Sequence, residues 1–376
     1  MPQKKISLIT LQYINNYGSV LQCYASEAYL EDKGFSVETV NYTRENCRPE
    51  NLRKTMQAYY LQTFKLPPVS RWLVHRWHRL HQKRHQVFQQ FRDQRLHLSP
   101  EYTSLEQLMN RPPQADVYCV GSDQVWNYLY NDGVLPEYFL QYAPRGAKKF
   151  SLASSLAVEK LEQKALGSAM AEYLSDFSLV TVREKSGKEI LDALGVRNCH
   201  QILDPTLLLT GSRWSTHFDL KPVRSEEYVL VYQLNPCKEM GKFARQVAKK
   251  YGCKLIIISN NIRMTVPGAQ LLDNPPVEEF LALLRHAKYV VTDSFHGTAF
   301  CLNFHRAFIS WMPGKYSTRL MSILQLLQLQ ERAFTGIDPR WETLPPIDYQ
   351  KVDRILDQER QKADRLIQEV LTDHEK

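Results

Sequence analysis

The chain contains no Cys-x-x-Cys pair. Its seven cysteines, Cys23, Cys47, Cys119, Cys199, Cys237, Cys253 and Cys301, are scattered and odd in number. That pattern excludes a thiolate zinc site and a disulfide framework as organising features, and it fits a reducing compartment. No apolar run approaches the ~20 residues that cross a bilayer. The opening stretch Met1-Pro-Gln-Lys-Lys-Ile-Ser-Leu-Ile-Thr-Leu is too short and too polar for a secretory leader. A cytoplasmic protein is expected, held at most peripherally at the inner face of a membrane. There is no Asp-x-Asp pair and no EF-hand loop, so no metal ion is expected. Internal repeats and low-complexity segments are also missing, which sets aside solenoids and disordered tails.

What is present describes a soluble globular protein of about two domains. The chain has 376 residues, of which 43% are hydrophobic and 23% charged, with a net charge of +8. Such a surface favours anions, and phosphorylated metabolites, acidic glycans, anionic lipid and nucleic acid all match it by charge. Strand-like and helix-like runs alternate. Ile6–Leu11 reads as a strand, Tyr17–Asp32 as a helix and Phe35–Tyr42 as a second strand, a βαβ opening that starts a parallel sheet. Further strands are predicted at Ala115–Val120, Lys149–Ala153, Leu179–Val182 and His200–Leu203. A second set follows at Tyr228–Leu234, Lys254–Ser259, Tyr289–Thr292 and Ala307–Trp311, with helices at Cys237–Tyr251 and Val277–His286. The expected fold class is therefore α/β, with two doubly wound Rossmann-like domains facing a cleft. The boundary falls at 208/209, and the second domain carries a C-terminal helix. Ligands in such sheets bind beyond the carboxyl ends of the strands.

One section, residues 51–97, breaks this rhythm as a basic helical insertion. Within Arg71–Arg95 stand Arg71, Arg76, Arg79, Lys83, Arg84, Arg92 and Arg95, four histidines and a single acid, Asp93. Trp72, Leu73, Trp77, Leu80, Val87, Phe88 and Phe91 interleave with them. The stretch could contact an anionic membrane surface, or pack its aromatics on the body with a solvated basic face.

The most informative segment is Tyr289-Val-Val-Thr-Asp-Ser-Phe-His-Gly-Thr-Ala-Phe. A β-branched run stops at a polar turn that offers Asp293, Ser294 and His296, and Gly297 and Thr298 then open a helix. Such a turn aims unpaired N–H groups at one point, where an anion is favoured. His296 adds a group that titrates near neutrality. An ordinary βα loop capped by Ser294 or Asp293 would read the same way. Two other strand ends carry polar turns: Asn16, Gly18 and Ser19 follow the first, while Gly121, Ser122, Asp123, Gln124 and Asn127 follow another. Trp126 in that second turn could stack on a sugar, or belong to the core. Arg183 ends a further strand, suited to bidentate contact with phosphate or carboxylate, or to a salt bridge with a neighbour such as Glu184.

The order of these segments along the chain is more specific than any one of them. Asn16-Tyr-Gly-Ser-Val-Leu-Gln, Gly121-Ser-Asp-Gln-Val-Trp-Asn, Val182-Arg-Glu, Asp204-Pro-Thr, Asp293-Ser-Phe-His-Gly-Thr and Lys315-Tyr-Ser-Thr-Arg resemble the polysaccharide pyruvyl transferase family, from about Lys4 to Arg332. The resemblance implies a GT-B-like fold and transfer of the enolpyruvyl carbons of phosphoenolpyruvate to a sugar as a ketal. It implies phosphoenolpyruvate as co-substrate with no bound cofactor, a glycan or lipid-linked oligosaccharide acceptor, and no nucleic-acid partner. Arg183 and His296 match positions the family uses for its donor, whereas Ser294 stands where some members carry arginine. Lys315 or Arg319 would then supply the remaining donor cation. In this reading His296 is the general acid and Asp293 orients it or acts as a base. Arg183, Ser294, Gly297, Thr298, Lys315 and Arg319 hold the donor. Asn16, Gly18, Ser19, Gly121, Ser122, Asp123, Gln124, Trp126 and Asn127 face the acceptor, and Asp123 is a second base candidate. Two other readings remain open at this stage. One is a glycosyltransferase of the same architecture using a nucleotide sugar, with Asp273 or Glu278 at the ribose. The other is a non-catalytic glycan- or membrane-binding protein.

Overall fold

Short apolar runs that end at turns become parallel strands, and parallel strands are buried on both faces because their crossovers cover them. The computed structural model, which describes residues 3–48, 51, 54, 67–259, 266–312, 314 and 317–372, follows that rule in both halves. In the first, β1 (Lys5–Ile9), β2 (Ser36–Thr39), β3 (Val117–Val120) and β4 (Lys148–Ser151) form a sheet in the order β2-β1-β3-β4. The pair β5 (Val180–Val182) and β6 (Cys199–Gln201) continues it through the bridges Phe150↔Leu179 and Ser154↔Val182. In the second half, β7 (Tyr228–Gln233), β8 (Lys254–Ser259), β9 (Ala269–Leu272), β10 (Tyr289–Thr292), β11 (Ala307–Trp311) and β12 (Ala333–Phe334) run β12-β11-β10-β7-β8-β9. Every pairing is parallel. The central strands β3, β7 and β10 are buried at every position. The two strands that the sequence pattern does not announce, β9 and β12, are the sheet edges. One is half-buried and the other only two residues long.

The helices that matter for the site are α1 (Tyr17–Glu31), α2 (Pro67–Arg95), α3 (Lys238–Tyr251), α4 (Val277–His286), α5 (Phe295–Asn303), α6 (Ser317–Leu326) and α7 (Tyr349–Thr372). The first of them, α1, belongs to one half and packs on the other. Its Tyr17 ring stacks on Phe280 of α4 with centroids 4.0 Å apart, and the Tyr17 hydroxyl donates to the Pro275 carbonyl at 2.6 Å. One continuous apolar core accordingly runs from Ile6 and Val20 to Phe300 and Leu324. The last helix, α7, starts against the second half, where Tyr349 donates to the Arg306 carbonyl and Asp353 pairs with His305. It ends on the first half: Asp364 accepts from Tyr29 and pairs with Lys33, and Lys148 donates to the Val370 carbonyl. Assigning α7 wholly to a second domain therefore misplaces its final turns. Periodicity shows that a helix has an apolar face but not which surface that face meets.

The basic insertion divides. The described C-terminal part of α2 packs on the body. Phe88 lies edge-on to Tyr17, Phe91 stacks on Phe218, Lys83 pairs with Asp273 and Arg95 with Glu278. Arg79 is exposed. The side chains of Arg71, Trp72, Leu73, Arg76, Trp77 and Leu80 lie outside the described residues. Among the described residues, no helix is long and apolar enough to cross a membrane.

Candidate active site

Three strand ends, after β1, β3 and β5, meet two from the second half, after β7 and β10. At their meeting point sits Asp204, which a strand exit and a following Pro205 hold in place. Asp204 caps the short Pro205–Leu208 helix, its Oδ1 accepting from the Thr206 amide at 2.9 Å and the Thr206 hydroxyl at 2.6 Å. Its Oδ2 accepts from Arg183 Nη1 at 2.7 Å, lies 2.9 Å from the Ser122 hydroxyl, and stands 3.7 Å from His296 Nε2. Burial opposes its charge, but the Arg183 guanidinium and His296 hold its carboxyl well below the usual range.

Arg183 is the complementary hub, with a side chain only 2% exposed. Its Nη2 lies 3.6 Å from Asp123 Oδ1 and its Nε 4.0 Å from Glu184 Oε2, and its guanidinium sits 4.5 Å over the Phe295 ring. Burial works against this cation, and Asp204 and Asp123 more than offset it, holding its pKa above the ordinary value. Asp123 in turn accepts from Ser19 of α1 at 2.8 Å. A buried network of this kind is favourable only while complete, since removing one charge strands the others in low dielectric.

In front of this network lies a cavity of about 910 Å³ between the two halves. Of the residues singled out from sequence, Asn16, Ser19, Asp123, Gln124, Asn127, Asp293, Ser294, His296 and Arg319 line it. His296 stands in the first turn of α5 and its Nε2 has no hydrogen-bond partner. Ser294 caps α5 by accepting from the Gly297 amide, and the Thr298 amide bonds the Ser294 carbonyl. Helix geometry leaves the Phe295 and His296 amides of that turn for a ligand. Arg319, on α6, has a buried Nε with no partner and, among the described residues, no carboxylate within ion-pair distance. Burial and the nearby Arg183 lower its pKa to about 10. Asp123, Glu184 and Asp204 offset its charge only from beyond ion-pair distance.

Several expected contacts fall elsewhere. Arg183 stands behind the cavity wall, spoken for by carboxylates. Asp293 does not orient His296: its two oxygens accept from the Leu234 and Asn235 amides at 2.7 and 2.8 Å, and Asp204 is the carboxylate beside the imidazole. Trp126 is core, stacked on Phe139 with its indole N–H donating to the Tyr138 carbonyl. The Thr298 hydroxyl meets Ser310 inside the second half. Three glycines serve packing. A Cβ at Gly121 would come 2.5 Å from the Leu152 carbonyl oxygen, and one at Gly297 2.4 Å from Thr292 Oγ1. At Gly18 it would come 2.1 Å from Nδ1 of His296, so α1 lies directly against the imidazole. Ser122 is fully buried against Asp204 and Ala153. Lys315 lies outside the described residues. The residue that sequence reasoning passed over is Asp204; its signal was Asp-Pro-Thr at a strand end, the signature of a capped helix start. Asp273 and Glu278, the carboxylates a ribose would need, are occupied by Lys83 and Arg95 of α2. Among the described residues, no three His, Cys, Asp or Glu side chains are grouped as metal ligands.

A search of curated proteins by sequence finds no match. Solved structures do resemble the fold. A UDP-N-acetylglucosamine 2-epimerase from Rickettsia bellii superposes with a TM-score of 0.50 at 11% identity, covering 98% of this chain and 95% of that one. The enzyme of the same name from Neisseria meningitidis, solved with UDP-GlcNAc, gives 0.51 at 10% identity over 98% and 99%. At such identities the likeness is one of architecture, the GT-B arrangement of two parallel α/β units. The family model described as "Polysaccharide pyruvyl transferase" matches residues 16–312, from the cap of α1 to just beyond β11. That span takes in Asp123, Arg183, Asp204 and His296, and with most of its length matched the chain belongs to the polysaccharide pyruvyl transferase family.

Proposed function

We propose that the protein moves the pyruvyl group of phosphoenolpyruvate onto a sugar of a polysaccharide or lipid-linked glycan precursor, forming a ketal. The observation that carries this reading is that His296, with its buried Nε2 3.7 Å from Asp204 and no hydrogen-bond partner, lines a cavity that also holds Arg319 and the first turn of α5. Phosphoenolpyruvate puts a phosphate and a carboxylate around a three-carbon unit, so its site needs several donors of positive potential. Arg319 and the Phe295 and His296 amides supply them. His296 delivers a proton to the methylene carbon, which makes C2 oxocarbenium-like. An acceptor hydroxyl adds to C2 and gives up its proton, phosphate leaves with the C2–O bond electrons, and a second hydroxyl closes the ketal with loss of its own proton. Asp123, which lines the cavity from the first half, takes the hydroxyl proton in this scheme, and Gln124 and Asn127, which line it too, hold sugar hydroxyls. Arg183 acts through Asp204 and Asp123 as a positioning residue.

Calorimetry with phosphoenolpyruvate on the wild type and on Arg319→Gln, paired with detection of the ketal product for His296→Ala, tests the scheme. Saturable binding that Arg319→Gln weakens about tenfold, with no product from His296→Ala, is the expected result. Binding of a nucleotide sugar and none of phosphoenolpyruvate would overturn it.

A further inference from the structure

A second cavity, of about 750 Å³, adjoins the first and shares Ile14 and Tyr130 with it. Its walls carry Arg48, Arg84, His85 and Arg92, and Glu101 is its single carboxylate. Among the described residues the lining is therefore net positive. The arginines are held by neutral oxygens. Arg48 donates to the Thr103 carbonyl and Arg84 to the Asn15 carbonyl. Arg92 donates to the Gln12 carbonyl at 3.3 Å, to Asn15 Oδ1 at 3.1 Å and to Gln89 Oε1 at 2.9 Å. Among the described residues, none of the three has a carboxylate partner at ion-pair distance, and the Nε atoms of Arg48 and Arg84 are buried without any acceptor. Neutral oxygens fix where a guanidinium points but leave its charge uncompensated, which is costly in a partly dry pocket.

The cations also come from two directions: Arg84 and Arg92 from α2, converging on Asn15, and Arg48 from the segment after β2. An anion with two linked phosphates offers oxygens to guanidinium forks on both walls, which a single phosphate does less well. Between the two cavities stands Tyr130, 44% exposed, with the Arg44 guanidinium 5.4 Å from its ring centre. It offers an aromatic face on which a sugar ring can rest.

We infer that this second cavity is an anion subsite for a diphosphate-class group, and that it holds the charged end of an acceptor whose sugar crosses Tyr130 toward His296. The anion subsite stands on its own geometry; assigning its occupant to the acceptor rests on the transferase reading above. The experiment titrates the full chain with inorganic pyrophosphate and then with N-acetylglucosamine 1-diphosphate, at low salt. Wild type, Arg48→Gln, Arg84→Gln, Tyr130→Ala and Arg319→Gln are compared, with thermal melts confirming that each variant folds. Pyrophosphate should saturate the wild type, weaken about tenfold or more with each of Arg48→Gln and Arg84→Gln, and change little with Arg319→Gln. Tighter binding of the sugar diphosphate, by a margin that Tyr130→Ala removes, identifies the glycan as the occupant; equal affinities identify the free diphosphate. No pyrophosphate binding overturns the inference, and so does binding that falls with Arg319→Gln alone. Phosphoenolpyruvate titrated into Arg84→Gln separates the two claims. Binding retained there while pyrophosphate binding is lost places the subsite apart from the donor. Pyrophosphate binding without any phosphoenolpyruvate binding in the wild type leaves the subsite standing and sinks the donor assignment.

Discussion

Around Arg183, buried charges stand against opposite ones: the guanidinium faces Asp204, Asp123 and Glu184, and the His296 ring lies 3.7 Å from Asp204. Around Arg84, one cavity away, three arginines lean on carbonyl and amide oxygens. The first arrangement sets its cation among carboxylates, although Arg183 Nε and Nη2 and Glu184 Oε2 lack hydrogen-bond partners; the second sets its cations, among the described residues, against neutral oxygens. Positioning a proton donor needs a network that does not move when the ligand leaves. Holding a polyanion needs charge that the protein itself leaves uncancelled. Arg319 resembles the second kind although it faces the first cavity, which is why it, and not Arg183, is assigned to the donor.

The largest effect should come from breaking the network around Arg183. Asp204→Ala leaves Arg183 without its closest partner and should cost about 3–5 kcal/mol of stability, read from urea unfolding. A cost below ~1 kcal/mol would mean the network is not a unit. In the proposed transfer His296→Ala should lower the rate roughly 10²–10⁴-fold, and because the imidazole is buried between Gly18 and Asp204 it should also lower the melting temperature.

Glu27 extends the contrast to a buried carboxylate with neutral donors, the Thr39 hydroxyl and the His97 amide. Burial lifts its pKa from 4.5 to about 8. Between those values the native state binds more protons than the unfolded chain, so this group's contribution to stability declines as pH rises from 4.5 and is fully lost above 8. Glu27→Gln should flatten that decline, worth on the order of a few kcal/mol, in melts taken from pH 5 to 9; an unchanged slope would reject the assignment. Gly18→Ala pushes a methyl group into His296 and should lower kcat about ten- to a hundredfold while the far-ultraviolet spectrum stays the same. The smallest effect belongs to the uncancelled arginines. Arg84→Gln should change stability by less than about 1 kcal/mol, and toward the stable side, because it removes an unmatched charge. A strong loss would show the arginine to be structural.

The parallel sheets were legible because β-branched runs between turns leave little else to form, and Tyr289–Thr292 and Lys254–Ser259 fall where the pattern puts them. The edge strand Ala333–Phe334 was not, since two residues carry no period. At the site, the turn that bears His296 announced itself through composition. The partnership of His296 with Asp204 did not, because the two are brought together by the meeting of two sheets and share no local pattern. Gly18, Gly121 and Gln124 look alike in sequence, as small or polar residues in a loop. Only packing shows that the first touches the imidazole, the second lets two backbones approach, and the third faces the cavity.

The stacking of Tyr17 on Phe280, with its hydroxyl bond to Pro275, lies one residue from the glycine that touches His296. Swinging the two halves apart at that point would break both contacts and, with them, part of the apolar core that α1 shares with α4 and α5. The helix that joins the two halves is thus also the one that fixes the His296 ring, so in the proposed transfer the register of the proton donor is set by the packing of one half on the other.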